Sequence, residues 1–463
     1  MNRLALVLLS SLRSIVRGVA ISALTRADTL KNFNITNDSF VLTFDYCEDY
    51  KIIESKLQNA GYLKQSTLIN IFDYFSTFVY SKDEIGEGEI LKLLKKVNFI
   101  TKEKQNNRCV KYILPDGRVV LEYFNKNNDV YLRAVTLGGA FLWDYTPIIE
   151  LYNNNKLIKR FYSNRDFWAY FIECVSDNYN KVHIFQDASY NNKVDTRDVF
   201  CAIKRGKRYF NYRIAHGSTM IDIYNDKALP LASWRDDEYW SDYDAIVFLT
   251  NLQRKQWISS QGNDGNLVVV PHESGRQNLG FTPRRGNRCV YITSLTKPKR
   301  VDIAIKAFAK VISEVPSASL EVYGQGPEYD SLAKLINDLK VEKNVSLLGY
   351  QIDAQQYLKG AACSLFTSER ESFGMPIVES YAYSCPVVAF NVNYGPAELV
   401  IDGKTGFKNE FGDIEGMAHS IIKVLNNENT VFRENAYHKS KQYEKEKIAD
   451  LWKSLLDKTE TRY

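Results

Sequence analysis

The stretch CSLFTSERESFGMPIVESYAYSCPVVAF, residues 363–390, decides the fold. CSLFT (363–367) and PVVAF (386–390) are short, β-rich apolar runs of the kind a parallel sheet buries on both faces. Between them, Pro376–Tyr383 has helical texture, with Pro376 near the first position, where a missing N–H costs little. Strand, loop, helix and strand make one βαβ unit. Working outward, the pattern repeats. CVYIT (289–293), SLEVYG (319–324) and VSLLGY (345–350) read as further strands. Val301–Val315, Glu328–Leu339 and Ile414–Leu425 read as the helices that separate them. From Cys289 to about residue 430 this is a doubly wound α/β pattern of the nucleotide-binding type.

The N-terminal half has two textures. LALVLLS (4–10) and FVLTFDY (40–46) alternate with helix-like stretches such as Ala20–Leu30, which is βα texture. From about residue 105 to 162 the period changes to two. RCVKYILP, RVVLEYF and VYLRAVTL alternate as strands do, and Pro115-Asp116-Gly117 and Asn125–Asp129 supply turns. That segment reads as an antiparallel meander set into an α/β domain. The α/β texture then returns with a helix at Asp166–Val175 and the buried runs KVHIFQD (181–187), DAIVFLT (244–250) and LVVVP (267–271). Residues 272–288, rich in Gly, Pro and polar side chains, read as a linker. Lys441–Lys458 reads as a charged helix with Tyr443, Ile448, Leu451, Trp452 and Leu455 on one side. The expected division is 1–85 and 164–271 for the first domain, 86–163 for the inserted sheet, 272–440 for the second domain, and 441–463 for a helix returning to the first.

At 463 residues the prior is about three folding units. Hydrophobic residues make up 45% and charged residues 25%, which excludes a disordered or fibrous chain. Lys plus Arg is 60 against 55 for Asp plus Glu, and a net charge of +5 is too mild to imply nucleic acid. The seven cysteines are odd in number, scattered and without a C-x-x-C pair, so a reducing, cytoplasmic compartment is expected. The five histidines have no metal-ligand spacing. No apolar run reaches transmembrane length. Met1–Leu12 could pass for a signal peptide, but Arg13, Arg17 and Arg26 follow it, so a buried first strand fits better.

Chemistry concentrates in Ser368–Glu379. Glu371 falls in the loop at the carboxyl edge of the sheet, where α/β ligands bind. Glu379 is expected in the first turn of the following helix, near the positive end of its dipole. Gly374 lets backbone N–H groups approach a ligand. A helix N-terminus with exposed amides suits a diphosphate, and two nearby carboxylates suit sugar and ribose hydroxyls. Two acids eight residues apart are weak evidence alone, since acids also cap helices. The frame S-x-x-E-x-F-G, then Pro, then Glu, at a strand-to-helix junction is far more specific. Gly324 and Gly326 form a G-x-G turn that tight strand–helix packing explains equally well. Lys204–Arg208, followed by Tyr209, Phe210 and Tyr212, is the most basic stretch; it is either a solvated face or a surface for a polyphosphate or an anionic membrane.

These residues resemble the retaining GT-B glycosyltransferases of family 4, whose fingerprint is E-x7-E, here Glu371 and Glu379. The resemblance extends through TKPKRVDIAIKAF (296–308), SLEVYGQGPEYDSLAKLI (319–336) and PVVAFNVNYGPAELVIDGKTGF (386–407). An N-terminal half interrupted by an antiparallel sheet, with NIFDYFS (70–76) and IVFLTNLQ (246–253), is similar to bacterial wall teichoic acid α-glucosyltransferases. Adhesin-glycosylating enzymes of the accessory secretion system share that sheet. The resemblance implies two Rossmann-like doubly wound domains, with a UDP-sugar donor held between them against the C-terminal one. Glu371 would contact the donor sugar hydroxyls, helped by the backbone of Phe373, Gly374 and Met375. Glu379 would hold the ribose and Lys299 would neutralise the diphosphate. Gly18 matches a glycine of the first β–α loop, and His216 a histidine facing the reacting sugar; a plain loop histidine is as good a reading of His216. Ser294 stands where the family usually has an arginine, Arg17 where it has a first glycine, and Thr219 where it has a second histidine.

The expected catalytic set is therefore His216, Glu371 and Lys299. The donor-binding set is Gly18, Ser294, Lys299, Gly324, Glu371, Phe373, Gly374, Met375 and Glu379, with no metal and no cofactor beyond the UDP-sugar. The implied reaction moves glucose from UDP-glucose to a polyol-phosphate polymer with retention of configuration. The alternatives are N-acetylglucosamine transfer to Ser/Thr-rich adhesins, and a catalytically silent acceptor-binding or partner subunit. The inserted sheet is expected to bind a polymer acceptor or to join subunits into a homo-oligomer. Nucleic acid is not an expected partner, and a peripheral seat on the inner face of a membrane is compatible with the basic stretch.

Overall fold

The computed structural model describes residues 2–9, 18–45, 50–77, 88–96, 101–106, 108–137, 148–153, 156–187, 203, 206–217, 219–225, 227–231, 243–262, 266–274, 280–351, 353–426 and 430–463. The chain divides into two compact units. The first comprises Met1–Arg213, Tyr239–Asp244 and Thr459–Tyr463; the second comprises Ile214–Glu238 and Ala245–Lys458.

In the first unit, β1 (Arg3–Leu9) lies between β2 (Asp38–Thr43) and, further along the chain, the strand Lys181–Asp187, both parallel to it. β2 in turn pairs in parallel with β3 (Thr67–Asn70). The first strand is indeed buried, as its unbroken apolar run requires. The helix Gly18–Asn32 follows it, slightly longer than the stretch expected.

The meander is an up-and-down antiparallel sheet of six strands in chain order: β4 (Thr101–Asn106), β5 (Cys109–Ile113), β6 (Arg118–Phe124), β7 (Val130–Leu137), β8 (Ile148–Asn153) and β9 (Lys156–Phe161). Asn125 makes its turn by accepting the N–H groups of Asn127 and Asp129, each at 2.9 Å. Alternation sends Val119, Leu121 and Tyr123 to one face, where they join a core with Phe72, Phe75, Phe167 and Phe171. The other face carries a buried charge ladder. Glu122 pairs in register with Arg133, Arg133 with Glu150, and Glu150 with Arg160. Glu150 also accepts the N–H groups of Glu89 and Ile90 at 2.7 and 3.2 Å, so it caps the helix Glu89–Lys96 from a distant strand.

The α/β part resumes with the helix Asn164–Ser176, capped by the Ser163 hydroxyl. It leads to β10 (Lys181–Asp187) and then β11 (Tyr209–Ile214), which extend the parallel strands in the order β11-β10-β1-β2-β3. Phe210 and Tyr212 are fully buried in β11, and Arg208 donates to the carbonyls of Ser176 and Tyr179. Two of the three aromatics expected beside the basic stretch, Phe210 and Tyr212, are therefore core residues, Tyr209 packs half-buried against that core, and Arg208 closes a helix end; Lys204 and Arg205 lie outside the described residues. Among the described residues no helix is long and apolar enough to cross a membrane.

In the second unit, β12 (Ala245–Phe248) pairs in parallel with β13 (Leu267–Val269). Its larger sheet has six strands: β14 (Arg288–Ile292), β15 (Ser319–Tyr323), β16 (Val345–Leu347), β17 (Cys363–Phe366), β18 (Val387–Phe390) and β19 (Gly406–Asn409). Their order is β16-β15-β14-β17-β18-β19, all parallel. The order reverses beside β14, which is the switch point where such sheets bind ligands. The helices Val301–Glu314 and Ile414–Asn426 cover one face with an apolar stripe that includes Ala304, Phe308, Met417 and Ile421.

Candidate functional site

The loops after β14 and β17, neighbours at the switch point, are tied together by their own strands. Tyr291 on β14 donates to the Lys299 carbonyl at 2.9 Å, and Thr367, just beyond β17, reaches the same oxygen at 2.9 Å. Glu369 N donates to the Pro298 carbonyl at 3.0 Å. These bonds fix the short turn Lys297–Lys299 against the Ser368–Gly374 loop. Lys299 Nζ then lies 2.8 Å from Glu371 Oε2, and both side chains remain partly exposed. Burial pulls the Lys299 ammonium down, but the Glu371 carboxylate outweighs it and holds the lysine above its ordinary value.

The far side of the loop is held by the segment after β18. Glu371 N donates to the Asn393 carbonyl, and the Glu371 carbonyl accepts from Tyr394 and Gly395. A Cβ on Gly395 would stand 1.7 Å from the Phe373 carbonyl oxygen, so only glycine fits there. Gly374, at φ +91°, is the left-handed cap from which the helix Met375–Ala382 starts. This places Glu379 beyond the first turn, which holds no acid, and corrects the first-turn position expected from sequence. The left-handed cap lets the helix begin at Met375, one residue earlier than the expected start at Pro376, and that moves Glu379 from the fourth helical position to the fifth. Gln355 Nε2 donates to Glu379 at 3.3 Å.

Glu371, Phe373, Gly374, Met375 and Glu379 thus share one strand-to-helix junction, and the loop after β14 brings Lys299 against it. Ser294 is exposed in the loop after β14, 3.4 Å from the Thr296 hydroxyl. Gly324 follows β15, and a Cβ there would lie 1.7 Å from the Thr293 carbonyl, so close packing of two loops accounts for it. Gly18 opens the helix after β1 in the first unit, and Arg17 lies outside the described residues. His216 follows β11, and its imidazole stacks on His272 with ring centres 5.2 Å apart. Thr219 is fully buried.

Sequence reasoning missed His272, which lies in the stretch read as a linker. Residues of that stretch are in fact packed into the second unit: Ser274 N donates to the Tyr443 carbonyl, and Arg433 donates to the Thr282 carbonyl. The available signal was position, since His272 follows β13 at the carboxyl edge of a strand, as Lys299 follows β14. Among the described residues no group of three or more His, Cys, Asp or Glu is placed to hold a metal ion.

Residues 281–447, which span both loops and the acidic pair, match the family described as "Glycosyl transferases group 1". The chain carries a group 1 glycosyltransferase domain on a GT-B fold. The poly(glycerol-phosphate) alpha-glucosyltransferase of Bacillus subtilis (strain 168) is 25% identical to it over 354 residues, 73% of this chain and 50% of that protein. The chain therefore spans about half the length of that relative. The poly(ribitol-phosphate) alpha-N-acetylglucosaminyltransferase of Staphylococcus aureus (strain COL) is 24% identical over 494 residues, covering 95% of this chain and 97% of the relative. A crystal structure of a mutant of S. aureus TarM, in complex with Fondaparinux, alpha-GlcNAc-glycerol and UDP, superposes with a TM-score of 0.70 at 20% identity. It covers 99% of this chain and 100% of that one, so the fold is shared end to end, the inserted antiparallel sheet included. The expected GT-B fold with an inserted antiparallel sheet holds, and both of these relatives are glycosyltransferases named for a polyol-phosphate polymer.

Proposed function

We propose that this chain is a retaining hexosyltransferase that moves glucose from UDP-glucose to hydroxyl groups of a polyol-phosphate polymer. The observation that carries the reading is the 2.8 Å ion pair between Lys299 and Glu371 at the junction that also presents Glu379. A departing diphosphate gains charge in the transition state, and a preplaced ammonium stabilises that charge where it develops. Glu371 holds the ammonium in place and offers its second carboxylate oxygen to a sugar hydroxyl. Glu379, one turn into the helix that follows, offers a carboxylate to ribose hydroxyls. The amides of the loop entering the helix favour the phosphates. The polyol-phosphate acceptor is supported by the names of both relatives, and the donor sugar follows the Bacillus relative.

The test is transfer of label from UDP-[14C]glucose or UDP-[14C]N-acetylglucosamine to isolated poly(glycerol-phosphate) or poly(ribitol-phosphate). Label should pass from UDP-glucose to polymer. Lys299→Ala should lower kcat/KM about 10- to 150-fold, the equivalent of one charged hydrogen bond of roughly 1.5–3 kcal/mol. Label passing only from UDP-N-acetylglucosamine would overturn the donor, and label passing to no polymer from either donor would overturn the function.

A further inference from the structure

His216 does not stand alone. Its ring lies nearly parallel to that of His272, at 17° and 5.2 Å between centres. His272 meets Phe373 edge to face at 85° and 5.3 Å. Phe373 meets Tyr443 in the same manner at 73° and 5.9 Å. Both ends of this row differ in character. Phe373 and Tyr443 are buried, at 2% and 6% exposure, whereas the two histidines are half-buried. The row is thus rooted in the core and ends in an imidazole that solvent or substrate can reach.

His272 is itself fixed through its backbone. Ser274 N donates to the Tyr443 carbonyl at 2.9 Å, and Val270 N donates to the Phe248 carbonyl at 3.0 Å, so the segment is pinned on both sides of it. The neighbouring Glu273, 5% exposed, faces Lys445 at 3.8 Å. Tyr443 therefore grips the segment twice, once through Ser274 and once through the ring row. Between His272 and Tyr443 the row passes through Phe373, two residues after Glu371. An imidazole on χ1 and χ2 alone has a broad range of ring orientations. A parallel ring against its face removes most of that range, and aromatic contacts of this kind are each worth about 0.5–1.5 kcal/mol.

We propose that His272 is a positioning residue: it sets the ring plane of His216 relative to the loop that carries Glu371. The inference rests on the reading of the chain as a glycosyltransferase. It adds that His216 is aimed by a stack rooted in the donor loop. Misplacing a reacting group by about 1 Å can cost on the order of 100-fold in rate. His272 touches no reacting atom in this account; it acts through His216.

The experiment combines kinetics with histidine NMR. The chain has five histidines, so ring-labelled protein gives a short list of signals, and His216→Gln assigns one of them. His272→Ala should displace the His216 ring signals through loss of the stacked ring. It should also lower kcat for transfer roughly 10- to 100-fold, with KM for the UDP-sugar and calorimetric UDP affinity within twofold of the parent. His272→Phe, which keeps an aromatic face, should restore most of kcat. In a His216→Ala background, His272→Ala should have little further effect. The proposal is overturned by unmoved His216 signals in His272→Ala, by unchanged kcat, or by an equal loss of kcat with and without His216. A parent protein that transfers no sugar would refute the function instead, and the NMR displacement would then decide the stack alone.

Discussion

Glu150→Gln should loosen the inserted sheet along with the helix packed on it. The side chain is fully buried and collects four donors: Arg160 Nε at 2.9 Å, the Tyr152 hydroxyl at 2.5 Å, and the N–H groups of Glu89 and Ile90 at 2.7 and 3.2 Å. An amide has one acceptor oxygen and brings two donors of its own, so at least one existing donor loses its partner. It also carries no charge, while Arg133, 6% exposed and 4.4 Å from the Tyr152 ring, stays beside it with only Glu122 as an ionic partner among the described contacts. Removing one member of a buried ion pair costs about 3–5 kcal/mol. Arg160 keeps some water, at 19% exposure, so the low end of that range, about 3 kcal/mol, is the figure to expect. Chains built of several units seldom unfold in one step, so a single unfolding midpoint is the wrong instrument. Native-state hydrogen exchange reads the local opening directly. A loss of about 3 kcal/mol is roughly a 150-fold faster exchange. It should appear in β7–β9 and in Glu89–Lys96, with β14–β18 unchanged. A change under about tenfold in β8 would show that the ladder contributes no net stability, and the argument from the buried pair would fail.

The Glu460 carboxyl gives a pH dependence. Burial pushes it up, but His183 and Arg3, each 2.8 Å away, prevail and hold it down at about 2, below its ordinary 4.5. A carboxyl lowered on folding stabilises the chain above about pH 4.5, and the contribution drains away as pH falls toward 2. The stability gap between the parent and Glu460→Gln should therefore be constant from pH 7 to 5 and narrow below 4.5; a gap as wide at pH 3.5 as at pH 6 contradicts the assignment. Gly395→Ala should displace the Phe373 carbonyl, since the new Cβ would start 1.7 Å from it, and so disturb the Glu371 loop. Calorimetry should find UDP affinity lowered at least tenfold, with the far-ultraviolet dichroism spectrum retained; normal affinity would mean the loop tolerates the shift.

What could be read from the chain was what depends on near neighbours. A change of period from 3.6 to 2 is a local property, so the strands around Tyr112, Leu121 and Leu132 were placed from their own alternation and from the Asn125 turn. The C-terminal strands were legible because each is an apolar run set off by a helix. The charge ladder was not, because Glu122, Arg133, Glu150 and Arg160 meet only once the register of four strands is set. Nor was the helix Glu89–Lys96, whose N-terminal amides are satisfied by a carboxylate 61 residues further on. His272 stayed hidden for the same reason: polar, glycine-rich sequence predicts the absence of regular structure, and absence of regular structure is not absence of packing.

The spacing of the acidic pair is instructive in this light. Seven residues separate Glu371 from Glu379, and the motif says nothing of how they are shared between loop and helix. Gly374 settles it. Its left-handed conformation ends the loop and starts the helix at Met375, so Glu379 lies four residues in, about 6 Å along the axis. Glu371 is meanwhile fixed by groups that no local pattern reveals, from Asn393 to Gly395 on one side and Lys299 on the other. The pair is therefore one carboxylate placed by helix geometry and one placed by three loops from distant parts of the chain. Insertions or stiffening substitutions in the Ser372–Gly374 turn should move only the distance between them. Substitutions at Asn393–Gly395 should move Glu371 away from Lys299 and leave Glu379 where it is.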